Sequence, residues 1–116
     1  MNAARAVAAF DAIAHENRLA IFRLLVKRGP AGLAAGAIAG RLGVPPSSLT
    51  FHLQALHRAG LLTRRRAGRQ LIYGADFTAM NALVGFLTEH CCSESGDAAC
   101  CAPEQSVAPP RTRKTA

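Results

Sequence analysis

The spacing of apolar residues changes at Gly60. Ahead of it, in LGVPPSSLTFHLQALHRAG (residues 42–60), Leu49, Leu53 and Leu56 recur at intervals of four and three, the period of one helix face. Beyond it, Leu62 to Arg66 and Arg69 to Ala75 read as two strands around Ala67-Gly68, a hairpin whose near side carries Arg64, Arg65, Arg66 and Arg69. A helix that stops at a glycine and gives way at once to a short basic hairpin leaves few architectures open.

The segment before residue 42 narrows them further. Leu33, Ile38 and Leu42 mark a helix closed by Gly43, and Val44-Pro45-Pro46 joins it to the next, so two helices follow one another across a turn of a few residues. This is a helix-turn-helix pattern, and the hairpin makes it a winged one. Two helices precede it. Val7, Phe10, Ile13 and Ala14 predict one over residues 3 to 14; Leu19, Phe22, Leu25 and Val26, widened by Ile21 and Leu24, predict one over 16 to 28, ended by Gly29-Pro30. Asp76 reads as the N-cap of a last helix in which Phe77, Met80, Leu83, Val84 and Leu87 recur up to His90. The expected fold is mainly α with a β-hairpin wing. The expected division is a winged helix-turn-helix DNA-binding and dimerisation domain over residues 1–92 and a flexible cysteine-containing tail over 93–116, disordered from about 102.

Charge is sorted along the chain. The net value is +7, from 14 Lys and Arg against 7 Asp and Glu; Arg41 to Arg69 contains six arginines and no acid, whereas Asp76 to Glu104 contains five acids and no Lys or Arg. A basic stretch coincident with the helix-turn-helix and hairpin points to double-stranded DNA. No apolar run approaches the roughly 18 residues of a membrane span, and Asp11 and Glu16 interrupt the segment a signal peptide would need, so the expected location is cytoplasmic.

With Leu49, Leu53 and Leu56 turned inward, Ser47, Ser48, Thr50, Phe51 and Gln54 face outward near the N-terminal end of the fourth helix, where a recognition helix meets base edges. Ser, Thr and Gln donate to and accept from bases or phosphates, and Phe51 suits a thymine methyl. The wing arginines suit phosphate or minor-groove contacts, which position more than they specify. His52, beside the buried stripe, reads as a packed, hydrogen-bonded histidine.

On LGVPPSSLTFHLQALHRAGLL (residues 42–62) and RRRAGRQLIYGAD (residues 64–76), the chain resembles the ArsR/SmtB family of metal-responsive repressors over about residues 5 to 90. The resemblance implies a homodimer built from the first and last helices, bound to an inverted-repeat operator and released by a metal or metalloid. The apolar stripes in residues 7–14 and 77–87, more than one small core needs, make a dimer reasonable on their own.

Of two sensor sites of that family, one is absent and the other incomplete. The Cys-x-Cys-x-x-Cys pattern aligns with Ala34, Gly36 and Ala39, and the Asp-x-His pattern beginning at Asp76 meets Thr78. All four cysteines instead lie in HCCSESGDAACC (residues 90–101), which resembles the C-terminal Cys-Cys plus distal Cys arrangement of some arsenic-responsive relatives. In a reducing compartment, clustered thiols point to metal binding or redox sensing. Arsenite and antimonite, soft and three-coordinate, match three thiolates drawn from Cys91, Cys92, Cys100 and Cys101. Methylarsenite with two thiolates, zinc or cadmium with four, and a thiol-redox switch remain open. An enzyme such as a thiol oxidoreductase would place C-x-x-C at a helix N-terminus, whereas these cysteines follow a helix C-terminus; no catalytic cofactor is expected.

Overall fold

The computed structural model describes residues 1–95, so Cys100, Cys101 and the disordered stretch expected from about 102 lie outside the described residues. Helices α1 (Ala3–Ile13), α2 (Glu16–Arg28), α3 (Ala35–Leu42), α4 (Pro46–Arg58) and α5 (Phe77–Thr88) accompany strands β1 (Leu33–Ala34), β2 (Leu62–Ala67) and β3 (Gln70–Ala75). The sheet is antiparallel in the order β1-β3-β2. This is the expected winged helix-turn-helix: mostly helical, with a hairpin wing.

Local chemistry fixes the boundaries. Asn2 caps α1 by accepting from the Arg5 backbone N–H at 2.9 Å, and Asp76 caps α5 by accepting from that of Ala79 at 3.0 Å. Gly43, left-handed at φ 67°, closes α3, and Pro46 supplies the fixed φ of the first turn of α4. The hairpin turns on Gly68 and Arg69, between the paired Ala67 and Gln70; Gly68 alone of the two has positive φ, as a type II′ turn requires. The turn thus lies one residue later than Ala67-Gly68.

Ile21, Leu25, Ile38, Leu49, Leu53, Leu56 and Leu61 are fully buried, so α2, α3 and α4 close on one core with Leu62 and Tyr73 of the sheet. α1 meets it differently from the expected stripe. Ala6, Ala9 and Ala12 pack inward, letting the helix approach closely, while Val7 is 66% exposed and Phe10 also faces out. On α5 only Leu83 is buried; Val84 and Leu87 are 55% and 62% exposed. Leu19, placed in the α2 stripe by spacing, is exposed too.

β1 was not evident from spacing, which put Leu33 in a helix. The Pro30–Gly32 loop brings Leu33 opposite Tyr73 and Ala34 opposite Ile72, where they gain a strand neighbour. Arg28 Nε donates to the Gly32 carbonyl at 3.0 Å, holding the loop. Gly32 has φ 68°, and a Cβ there would run into the Tyr73 carbonyl oxygen. Gly32→Ala is therefore expected to destabilise the fold by about 1–3 kcal/mol, measured by urea denaturation. An unchanged midpoint would show that the loop relaxes freely.

Candidate nucleic-acid interface

The inward face of α4 (Leu49, His52, Leu53, Leu56) determines what its outward face presents. Ser47, Thr50, Phe51 and Gln54 stand at i, i+3, i+4 and i+7, a single exposed row, with Ser48 exposed beside it. Thr50 Oγ1 donates to the Pro46 carbonyl at 3.1 Å, so its hydrogen is spent within the helix and its lone pairs and methyl remain outward. Phe51 is 64% exposed, an unusual place for a phenyl ring unless something else meets it.

His52 is 7% exposed, and its Nδ1 accepts from Arg18 Nε at 3.2 Å. That bond requires an unprotonated Nδ1, hence a neutral ring with its proton on Nε2. The His15 ring lies 4.7 Å away between centroids, tilted by 48°. Burial, then His15 and Arg18, lower the His52 pKa from its ordinary value of 6.5. Because the unfolded chain takes the proton more readily, the stability this residue supports is present above about pH 6.5 and is lost as pH falls through the lower folded value. Urea midpoints at descending pH should fall more steeply for the wild type than for His52→Gln. Parallel curves would remove this histidine as the cause.

The wing divides its arginines. In antiparallel pairs, opposite residues share a face, so Arg64, across from Tyr73, and Arg66, across from Leu71, lie on the side of the sheet that enters the core. Arg65 pairs with Ile72 on the other side and donates through Nη2 to the Ala31 carbonyl at 3.0 Å, tying the hairpin to the α2–β1 loop. Arg69 sits at the tip. The four therefore do not share one near side: alternation along β2 separates Arg65 from its neighbours, although all four are exposed.

Beyond α5 the backbone makes successive turns: the Cys91 N–H donates to Thr88 O at 3.0 Å and the Ser93 N–H to His90 O at 3.0 Å. Cys91 is exposed and Cys92 half-buried, and their sulfurs stand 3.7 Å apart. Cys92 is disulfide-bonded. Among the described residues no three His, Cys, Asp or Glu side chains gather where a metal ion would fit. Asp76 is engaged as the α5 cap, and Thr78 offers no imidazole. Arg18, which spacing alone did not single out, touches two consecutive residues of the exposed-to-buried edge of α4: its Nε bonds His52, and its guanidinium lies 5.6 Å from the centre of the Phe51 ring.

Known proteins share this frame. A helix-turn-helix domain model matches residues 13–65. The transcriptional activator HlyU of Vibrio cholerae is 33% identical over 86 residues, 74% of this chain and 77% of the relative. Its solved structure gives a TM-score of 0.63 over 78% of this chain and 96% of that one. An ArsR-like transcriptional regulator from Rhodococcus sp. RHA1, 29% identical, gives 0.67 over 88% and 92%. The homodimeric winged helix-turn-helix DNA-binding domain of a possible ArsR-family regulator from Mycobacterium bovis, 29% identical, gives 0.59 over 74% and 80%. No helix among the described residues is long and apolar enough to cross a membrane. With sequence likeness over most of the chain and the same winged helix-turn-helix fold as these regulators, the chain belongs to the ArsR/SmtB family of winged helix-turn-helix transcriptional regulators.

Proposed function

We propose that the chain is a homodimeric cytoplasmic repressor that holds operator DNA when free of metal and releases it when arsenite or antimonite is bound by Cys91, Cys92 and one or both of Cys100 and Cys101. The observation that carries this reading is the pair of sulfurs 3.7 Å apart on the turn leaving α5. Reduction of the disulfide at Cys92 frees its thiolate, and two adjacent soft thiolates suit one soft ion. Bound there, the ion supplies a crosslink; everything else is done by the chain. Because α5 also carries Val84 and Leu87, the thiols sit at the end of the helix whose apolar side would meet a second copy. Two recognition helices must lie about 34 Å apart to enter successive major grooves, so a shift in α5 is felt in DNA affinity.

On DNA, the α4 row of Ser47, Ser48, Thr50, Phe51 and Gln54 reads bases, while Arg64, Arg66 and Arg69 of the wing neutralise phosphate and Arg65 braces the hairpin. Each neutralised phosphate contributes about 0.9 to the log–log salt slope of affinity. Arg66→Ala with Arg69→Ala is therefore expected to flatten that slope by about 2 units. An unchanged slope would remove the wing from the interface.

The disulfide at Cys92 favours a second reading, a thiol-redox switch in which oxidation rather than a bound ion changes DNA affinity. X-ray absorption at the arsenic edge, on reduced protein mixed with arsenite, separates the two. Three sulfur neighbours are expected around each arsenic. An arsenic shell of oxygen alone, with DNA affinity following the thiol-disulfide state, would replace the metalloid reading by the redox one.

A further inference from the structure

Phe51 is the one large apolar side chain of the exposed α4 row. The guanidinium of Arg18 lies 5.6 Å from the ring centre. Both side chains line one open cleft of about 330 Å³ between α1 and α4, together with Asp11 and Arg58. An exposed phenyl ring is free to change rotamer unless a neighbour holds it, and Phe51 is 64% exposed. Arg18 can hold it because it is itself held: it is half-buried on α2, and its Nε donates to His52 Nδ1 at 3.2 Å, which fixes the plane of the fork. His52 in turn is clasped by the His15 ring at the start of α2, whose Nδ1 accepts from the Asn17 backbone N–H at 3.2 Å.

We infer that Arg18, outside the two helices of the helix-turn-helix, is a positioning residue for sequence readout: clamped by His52, it holds the Phe51 ring on the base-reading face of α4. The inference rests on the reading of the α4 row as the base-contacting surface. It gives Phe51 a defined partner in recognition, the apolar edge of a thymine methyl, and it gives α2 a part in specificity without a base contact of its own.

The test is a double-mutant cycle on full-length protein, read as the ratio of affinity for an operator selected from random-sequence DNA to affinity for unselected DNA. Phe51→Ala and Arg18→Ala are each expected to lower that ratio by roughly three- to tenfold, the scale of one cation–π contact and one apolar base contact, and the double variant by no more than the larger single effect. Arg18→Gln, which keeps an N–H donor for His52 but loses the cation, guards against a folding defect and is expected to lose most of the same ratio at an unchanged thermal midpoint. If Phe51→Ala lowers the ratio and Arg18→Ala multiplies with it, Arg18 does not act through the ring and the inference is overturned alone. An unchanged ratio for Phe51→Ala overturns both the inference and the reading of the α4 row. Equal loss on both DNAs, with a salt slope smaller by about one, would make Arg18 a phosphate contact and also overturn it.

Discussion

Replacing Cys91 and Cys92 together by serine is expected to leave operator affinity within about twofold and to abolish release by arsenite. Both residues follow α5, outside α4 and the wing, so DNA contacts do not depend on them. A hydroxyl is a poor ligand for a soft centre. Four-ligand zinc sites are worth roughly 10–16 kcal/mol, which is about 3 kcal/mol per ligand, or about a hundredfold in affinity for each thiolate lost. The single changes should each raise the arsenite needed for half-release by about that factor, and the double change should put it out of reach. Cys100→Ser and Cys101→Ser singly are expected to be partly tolerated, since either neighbour completes three sulfurs, while their double replacement should resemble loss of Cys91. Arsenite release that survives in Cys91→Ser/Cys92→Ser would remove the thiol pair from the mechanism.

The second large effect concerns assembly. Val7 and Phe10 on α1 and Val84 and Leu87 on α5 are exposed although their spacing is that of buried stripes. Val84→Glu with Leu87→Glu is expected to give a monomer in analytical ultracentrifugation while leaving the thermal midpoint nearly unchanged at concentrations where the wild type is also dissociated. Because a dimer binds its second half-site intramolecularly, losing it should weaken operator binding by about 10²- to 10⁴-fold. A variant that remains dimeric would place the subunit contact on another face.

The same stripes show where sequence reasoning reaches and where it stops. Periodicity found α1 and α5 because an amphipathic helix shows itself whatever covers it, but it could not say that Val7 and Phe10 face away from their own core while Ala6, Ala9 and Ala12 do the inner packing. Alanine carries a weak signal in hydrophobic spacing, yet it permits the closest helix approach. The hairpin was legible from Gly68 and the change of period at Gly60, to within one residue of the turn. β1 was not, because two residues have no period; its pairing depends on Gly32 fitting under the Tyr73 carbonyl, a tertiary event.

In the candidate site, the outward row of α4 followed from the leucines opposite it, and His52 from its place beside them. The division of the wing arginines did not, since alternation separates Arg65 from Arg64 and Arg66 only once the strand pairing is known. Arg18 lies 34 residues from His52 in sequence, so nothing local joins them. Of the thiol cluster, Cys91 and Cys92 can be placed, and their 3.7 Å separation is information the sequence did not hold.

Fluorescence anisotropy of labelled operator bound to the reduced full-length protein, titrated with arsenite, reads directly whether a soft ion held by these thiols frees the DNA. Complete release is expected, reached with antimonite as well and with zinc only at much higher concentration, and reversed by a competing dithiol. Operator that stays bound at saturating arsenite, while zinc, cadmium or a thiol oxidant displaces it, would contradict that mechanism.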